Sequence, residues 1–164
     1  MDIDIDYILK TFNACRVKFI LIGGMNFSLR HRPYSTFDVD LWIEDTDANR
    51  ALCEQALSAL NAEWGHNDAD WGLTREKMSG WLEVQGVYSL NTPHGPIDVF
   101  RSVKGLGDWS ASFAAAISET TRVGTPYFGL SDKDMLQCQL VLDEPQKKLD
   151  RIQVLSEKLQ KESP

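Results

Sequence analysis

The stretch Phe19 to Glu44, FILIGGMNFSLRHRPYSTFDVDLWIE, constrains the fold more than any other part of the chain. Val17 to Ile22 is an apolar run of strand length, closed by the glycine pair Gly23-Gly24. A short helix fits between Met25 and His31 and must stop before Pro33, because the residue before a proline is pushed out of the helical region. Phe37 to Ile43 then alternates: Phe37, Val39, Leu41 and Ile43 take one face, and Asp38, Asp40 and Trp42 the other. A strand, a glycine turn, a helix and a second strand in this order cannot belong to an all-helical or an all-β protein.

The flanking segments extend the pattern. Ile5, Ile8, Leu9 and Phe12 recur at helical spacing behind three aspartates suited to a helix N-terminus. Residues 47–60 are helical in period, and residues 61–80 read as a polar, glycine-containing loop carrying Trp64 and Trp71. Trp81–Leu90 and Ile97–Ser102 read as strands joined by the turn residues 91–96. A helix over 109–119, a short strand over 122–128 and helices over 131–142 and 145–161 complete the chain. The expected fold class is α/β (α+β), a mixed β-sheet flanked by helices with further helices at the C-terminal end. The length of 164 residues predicts one domain, 1–164, with a core over 1–104 and a mainly helical tail over 105–164.

Composition removes several function classes. Hydrophobic residues make up 43% and charged residues 25%, which are globular values and exclude disordered or fibrous chains. Seventeen Lys+Arg against 24 Asp+Glu leave a net charge of −7, which argues against stable nonspecific binding of nucleic acid, since phosphate neutralisation needs a basic face. Three widely spaced cysteines, Cys15, Cys53 and Cys138, support neither a disulfide framework nor a zinc site. The acidic opening MDIDIDYILK is unlike a signal peptide and no apolar run spans a bilayer, so a soluble cytoplasmic protein with no membrane partner is expected.

Within the constraining stretch, Asp38 and Asp40 stand two residues apart on one side of a strand, where their carboxylates can converge on a divalent cation. Gly23 and Gly24 let backbone come close to a ligand, and the helix after them offers free N–H groups to an anion. A phosphate cradle beside a metal-binding acidic pair suits phosphoryl or nucleotidyl transfer. The same Asp-x-Asp spacing at Asp2/Asp4 and Asp68/Asp70 lacks the strand and glycine turn, so spacing alone is weak. Asp38 and Asp40 are distinguished by their cost, since aspartate is disfavoured in strands and like charges on one face repel.

The glycine pair followed by Asp38-Val39-Asp40 resembles the signature of the nucleotidyltransferase superfamily, whose fold is shared with the palm of DNA polymerase β. Ser131-Asp132-Lys133-Asp134-Met135-Leu136 and Lys147-Lys148-Leu149-Asp150-Arg151-Ile152 are similar to the last two helices of small bacterial nucleotidyltransferase-like proteins related to AbiEii-type toxins. The resemblance implies that Asp38 and Asp40, completed by Asp98 of GPIDVF, form a catalytic, metal-holding triad for Mg²⁺ or Mn²⁺. It also implies that Gly23 and Gly24 face the phosphates of a nucleoside triphosphate. Its reaction is the transfer of a nucleoside monophosphate to an acceptor hydroxyl on RNA, protein or a small molecule. A toxin–antitoxin role with a partner antitoxin is a further implication. Arg30 and Arg32 are candidate phosphate ligands, with solvated charges at a helix end as the equal alternative. Three features depart from the pattern: Tyr34 stands where relatives carry arginine, Gln139 where they often carry lysine, and Lys147-Lys148 where they carry a late Lys-Asp pair. These departures keep open a catalytically degenerate scaffold of the same fold that binds nucleotide or a partner, and beyond it a plain structural domain.

The remaining singletons have quieter readings. His31, His66 and His94 lack the spacing of a metal or nucleophile set and are expected in loops or at the surface. Trp64, Trp71, Trp81 and Trp109 favour packing over base stacking. Lys147, Lys148, Lys158 and Lys161 read as a solvated helix face, with RNA binding as the minor alternative.

Overall fold

A computed structural model describes residues 2–33 and 35–162. Position 34, where the sequence departs from the arginine of the resembled family, lies outside them. The helices are α1 (Ile5–Ala14), α2 (Gly23–Arg30), α3 (Asp47–Ala59), α4 (Trp109–Ala115), α5 (Asp132–Leu140) and α6 (Leu149–Glu162). The strands are β1 (Phe19–Ile22), β2 (Val39–Ile43), β3 (Glu63–Trp64), β4 (Gly72–Leu73), β5 (Val87–Leu90), β6 (Ile97–Phe100), β7 (Ile117–Thr120) and β8 (Pro126–Gly129). Among the described residues no helix is long and apolar enough to cross a membrane.

Six strands form a mixed sheet in the order β5-β6-β2-β1-β8-β7. The centre combines an antiparallel β1–β2 pair with parallel β2–β6 and β1–β8 pairs, and the outer pairs are antiparallel. The mixed sheet flanked by helices is therefore the fold class the sequence implies. Alternation decides what each face carries. Phe19, Leu21, Val39, Leu41, Ile43, Ile97 and Val99 meet Ile8, Leu9 and Phe12 of α1 and Cys53 and Leu57 of α3 in one core. Ile20, Ile22 and Trp42 turn to the opposite face and pack with Phe27, Trp109, Met135 and Leu155.

Local signals place the elements around the site. Asp4 caps α1 by accepting from the Tyr7 N–H at 3.1 Å, and Thr46 caps α3 by accepting from Asn49 at 3.2 Å. The buried Asn49 side chain donates to the carbonyls of Lys18 and Glu44 and accepts from the Lys18 N–H, tying α3 to the ends of β1 and β2. Ser131 caps α5 through the Asp134 N–H at 3.2 Å.

Several elements differ from the sequence reading. The 61–80 loop contains the short β3–β4 pair. Trp81–Glu83 is a 3₁₀ turn instead of the start of a strand, its residues held by Glu54, which accepts from the Gly80 and Leu82 N–H groups. The helix expected to reach residue 119 stops at Ala115, where Ala116 turns extended, and Ile117–Thr120 pairs with β8. This strand lies at the sheet edge and is mostly exposed, so it carries no apolar alternation that a sequence reading could detect. Strand β2 begins at Val39, leaving Phe37 outside it and 84% exposed instead of core-facing. Trp42 is buried, because Trp109 of α4 covers it and donates its indole N–H to the Trp42 carbonyl at 3.0 Å.

Candidate active site

The site grows from the strand register. Asp40 sits opposite Ile22 on β1 and opposite Asp98 on the parallel strand β6, so the two carboxylates are direct neighbours across the sheet. Asp38 lies two residues before Asp40 on the same side, immediately ahead of β2. One oxygen from each of Asp38, Asp40 and Asp98 lies within 4.8 Å of the other two.

Three carboxylates this close oppose one another's ionisation. Burial, then the charges of Asp38 and Asp98, push Asp40 up to about 8, while the guanidinium of Arg151 pulls the other way. Burial and then Asp38 raise Asp98 to about 6, against a hydrogen bond with Ser89 that favours its anion. The Oδ1 atom of Asp40 is buried without a hydrogen-bond partner, an arrangement that costs free energy unless a cation completes it. An all-oxygen, carboxylate-rich donor set fits a hard divalent cation such as Mg²⁺ or Mn²⁺.

The glycine pair serves this cluster directly. Gly23 opens α2 at φ +71°, and a Cβ there would stand 2.2 Å from Asp40 Oδ2, so only glycine leaves the carboxylate its position. A Cβ at Gly24 would come to 3.1 Å of Thr36 Oγ1 and 3.3 Å of Arg151 Nη2. Thr36 donates to the Asp38 carbonyl at 3.1 Å, which steadies the approach to β2. No side chain caps the N-terminus of α2.

These residues open onto a cleft of about 450 Å³. One wall carries Gly23, Gly24, Asp38 and Asp40, and the lining also includes Lys104, Lys148 and Arg151. Arg151 is 8% exposed, with its guanidinium carbon 5.3 Å from the centre of the Phe27 ring. Phe100, Val103, Leu130, Met135 and Leu142 supply an apolar lining. Acidic groups and cations lining one cavity suit a ligand that carries both a bound metal and several phosphates.

Among the candidates from sequence, Asp38, Asp40, Asp98, Gly23 and Gly24 come together. Arg30 and Arg32 do not line the cleft. Arg30 donates to the Leu130 carbonyl at 2.7 Å and pairs with the buried Asp132 at 3.2 Å, where His31 also bonds Asp132 at 2.7 Å. Arg32 reaches Asp150 at 3.7 Å on the surface. Gln139 accepts from the Lys148 N–H at 2.9 Å and so positions the start of α6. Lys104, Lys148 and Arg151 escaped the sequence reading as site residues, because they come from a loop and from the start of α6, distant from the acidic motif.

No protein-family model and no curated protein sequence matches the chain. Solved structures do match it. The lincosamide antibiotic adenylyltransferase LnuA, bound to lincomycin, is similar with a TM-score of 0.62 at 12% identity, over 95% of this chain and 98% of that one. ANT(2'')-Ia in complex with adenylyl-2''-tobramycin gives 0.60 at 13% identity, over 94% and 87% of the two chains. A solution structure of ANT(2'')-Ia gives 0.56 at 15%, over 94% and 82%. The chain therefore has the nucleotidyltransferase fold.

Proposed function

We propose that this chain is a divalent-metal-dependent nucleotidyltransferase, moving a nucleoside monophosphate from a nucleoside triphosphate to an acceptor hydroxyl. The observation that carries this reading is the Asp38–Asp40–Asp98 cluster, within 4.8 Å, at a cleft that also presents Lys104, Lys148 and Arg151. The adenylyltransferases that share the fold support it.

Asp38, Asp40 and Asp98 would hold the metal, Mg²⁺ or Mn²⁺. Such an ion neutralises charge on the phosphates and on the attacking and leaving oxygens. Arg151 and Lys148 receive the β- and γ-phosphates, with Lys104 at the rim and Gly23 and Gly24 keeping the backbone low beneath them. The apolar lining by Phe100, Val103 and Leu142 takes the nucleoside. In the reaction an acceptor oxygen forms a bond to the α-phosphorus while the bridging oxygen to the β-phosphorus leaves with pyrophosphate. The hydroxyl proton passes to Asp98 or to water. Residues Arg30 and Arg32 act outside the cleft in this reading, Arg30 as a strut between α2 and α5.

Calorimetry with ATP, GTP, CTP and UTP in the presence of Mg²⁺ tests the proposal. Metal-dependent binding lost in Asp40→Asn is the expected outcome, and release of pyrophosphate then demonstrates chemistry. Binding without turnover would favour a degenerate scaffold that holds nucleotide, and no binding by any nucleotide would defeat the enzyme reading in favour of a partner-binding scaffold. For the toxin role, induced expression should arrest growth in an Asp40-dependent manner.

A further inference from the structure

Arg30 does not line the cleft, yet the buried cluster it belongs to reaches a residue that does. Gly24, Phe27 and His31 fall at helical spacing on one face of α2. Arg151 lies along that face. Its guanidinium carbon sits over the Phe27 ring, 5.3 Å from the ring centre, and its Nη2 atom stands 3.3 Å from where a Cβ on Gly24 would be. The arginine enters from the first turn of α6, and Leu155, one turn further on, shares the apolar cluster of Phe27. Phe27 itself is completely buried, so packing holds its ring in place.

We propose that Phe27 is the positioning residue for Arg151: the face of its ring holds the guanidinium at the phosphate end of the cleft and off the metal-holding carboxylates. The proposal rests on the nucleotidyl-transfer reading above and deepens it. An aromatic face attracts a cation most strongly where water is excluded, and Arg151 is only 8% exposed. The competing attraction comes from Asp40, whose ionised form Arg151 favours. A divalent ion needs that carboxylate for itself. An arginine free to swing onto Asp40 would neutralise the metal site and leave the phosphates without their fork-shaped donor. Phe27 supplies an attraction that does not depend on the carboxylate.

The ring is in turn fixed from its own helix. His31 meets it at 5.2 Å, with the planes 48° apart. His31 Nε2 bonds Asp132 Oδ1 at 2.7 Å, Arg30 Nη2 reaches the same oxygen at 3.2 Å, and Arg30 Nη1 donates to the Leu130 carbonyl at 2.7 Å. Asp132 is buried in the first turn of α5. One carboxylate thus locks the end of α2 to the β8–α5 junction. The lock reaches the cleft through two contacts, His31 to Phe27 and Phe27 to Arg151.

The test compares ATP with AMP by calorimetry in Mg²⁺, because only ATP carries the β- and γ-phosphates assigned to Arg151. Phe27→Leu should weaken ATP binding about fivefold or more and change AMP binding by less than about twofold. In an Arg151→Gln background the same substitution should add nothing to the ATP loss. A graded series separates the ring's charge distribution from its packing. Monofluorinated and then trifluorinated phenylalanine at position 27 keep the ring's shape while draining electron density from its face, so ATP affinity should fall stepwise. The Arg151 Nε–H resonance, assigned by its loss in Arg151→Gln, gives a readout without any nucleotide. Its nitrogen is buried and the aromatic face shields it, so Phe27→Leu should move the signal downfield. Equal weakening of ATP and AMP, an ATP affinity indifferent to fluorination, or an unmoved Arg151 resonance would overturn the proposal. A wild-type protein that binds no nucleoside triphosphate would defeat the nucleotidyl-transfer reading instead, and the Arg151 resonance would still decide whether the ring holds the guanidinium.

Discussion

The two faces of the central sheet are made by the same strands, yet one is closed and the other carries the chemistry. On the closed face Val39, Leu41 and Ile43 are fully buried against α1 and α3. On the open face β2 presents Trp42, which α4 covers, and then Asp40, which lines the cleft. The covering layer built from α4, α5 and α6 reaches far enough to bury the tryptophan and stands off from the carboxylates. A strand's alternation thus assigns residues to a face, but the reach of the helices above decides which of them become core and which become site.

Neighbouring substitutions on β2 should separate these roles most sharply. Asp40→Asn is expected to reduce nucleotidyl transfer by about 10³-fold or more while the protein stays folded. Leu41→Ala, one residue on and facing the closed side, should cost about 2–5 kcal/mol of stability measured by urea unfolding. Second in size is the cationic lining: Arg151→Lys keeps the charge but loses the planar fork, and should weaken nucleotide binding by about tenfold in calorimetry. Lys104→Ala, at an exposed rim position, should change it only about two- to threefold.

The acids of the two regions also predict opposite responses to pH. Asp40 and Asp98 hold protons in the native state that the unfolded chain releases near its ordinary carboxylate pKa. Metal-free protein should therefore lose stability as pH rises from about 4 to 8, and Mg²⁺ should restore it, followed as Tm at pH 5 and pH 8. Asp6 of α1 behaves in the reverse sense. Hydrogen bonds from Thr121 at 2.5 Å and Thr125 at 2.6 Å hold its pKa below the ordinary value. Its contribution is present above that ordinary value and is lost as pH falls through the lowered one. Asp6→Asn should cost about 1 kcal/mol at pH 7 and less at pH 3.

The acidic motif is legible in the sequence because two aspartates on one face of a strand, next to Gly23-Gly24, weaken that strand unless a ligand uses them. That Asp98 stands beside Asp40 follows from the β2–β6 register, which no local pattern announces. Phe37 misleads because it continues the alternation past the point where pairing begins. Ile117–Thr120 is hidden because an edge strand exposed over most of its length has no reason to alternate. The cationic lining is illegible on separate grounds. Lys104 sits in the loop after β6, outside any pattern that marks a ligand, while Lys148 and Arg151 lie far from the acids in sequence, and only the docking of α6 beside α2 makes Arg151 a neighbour of Gly24 and brings Lys148 to the same cleft.

Gly23 and Asp40 compete for one volume, and this makes their mutational histories inseparable. Any side chain at 23 must first displace the Asp40 carboxylate, so the tolerance of position 23 depends on what occupies position 40. Shortening Asp40 to alanine removes the clash of a Cβ at 23 with the carboxylate, although the positive φ still penalises it, and the acid is lost as well. A side chain at 23 therefore disturbs the acid even where it does not remove it. The pair is thus a case of epistasis set by an approach of 2.2 Å: the effect of a substitution at 23 is readable only together with the residue at 40.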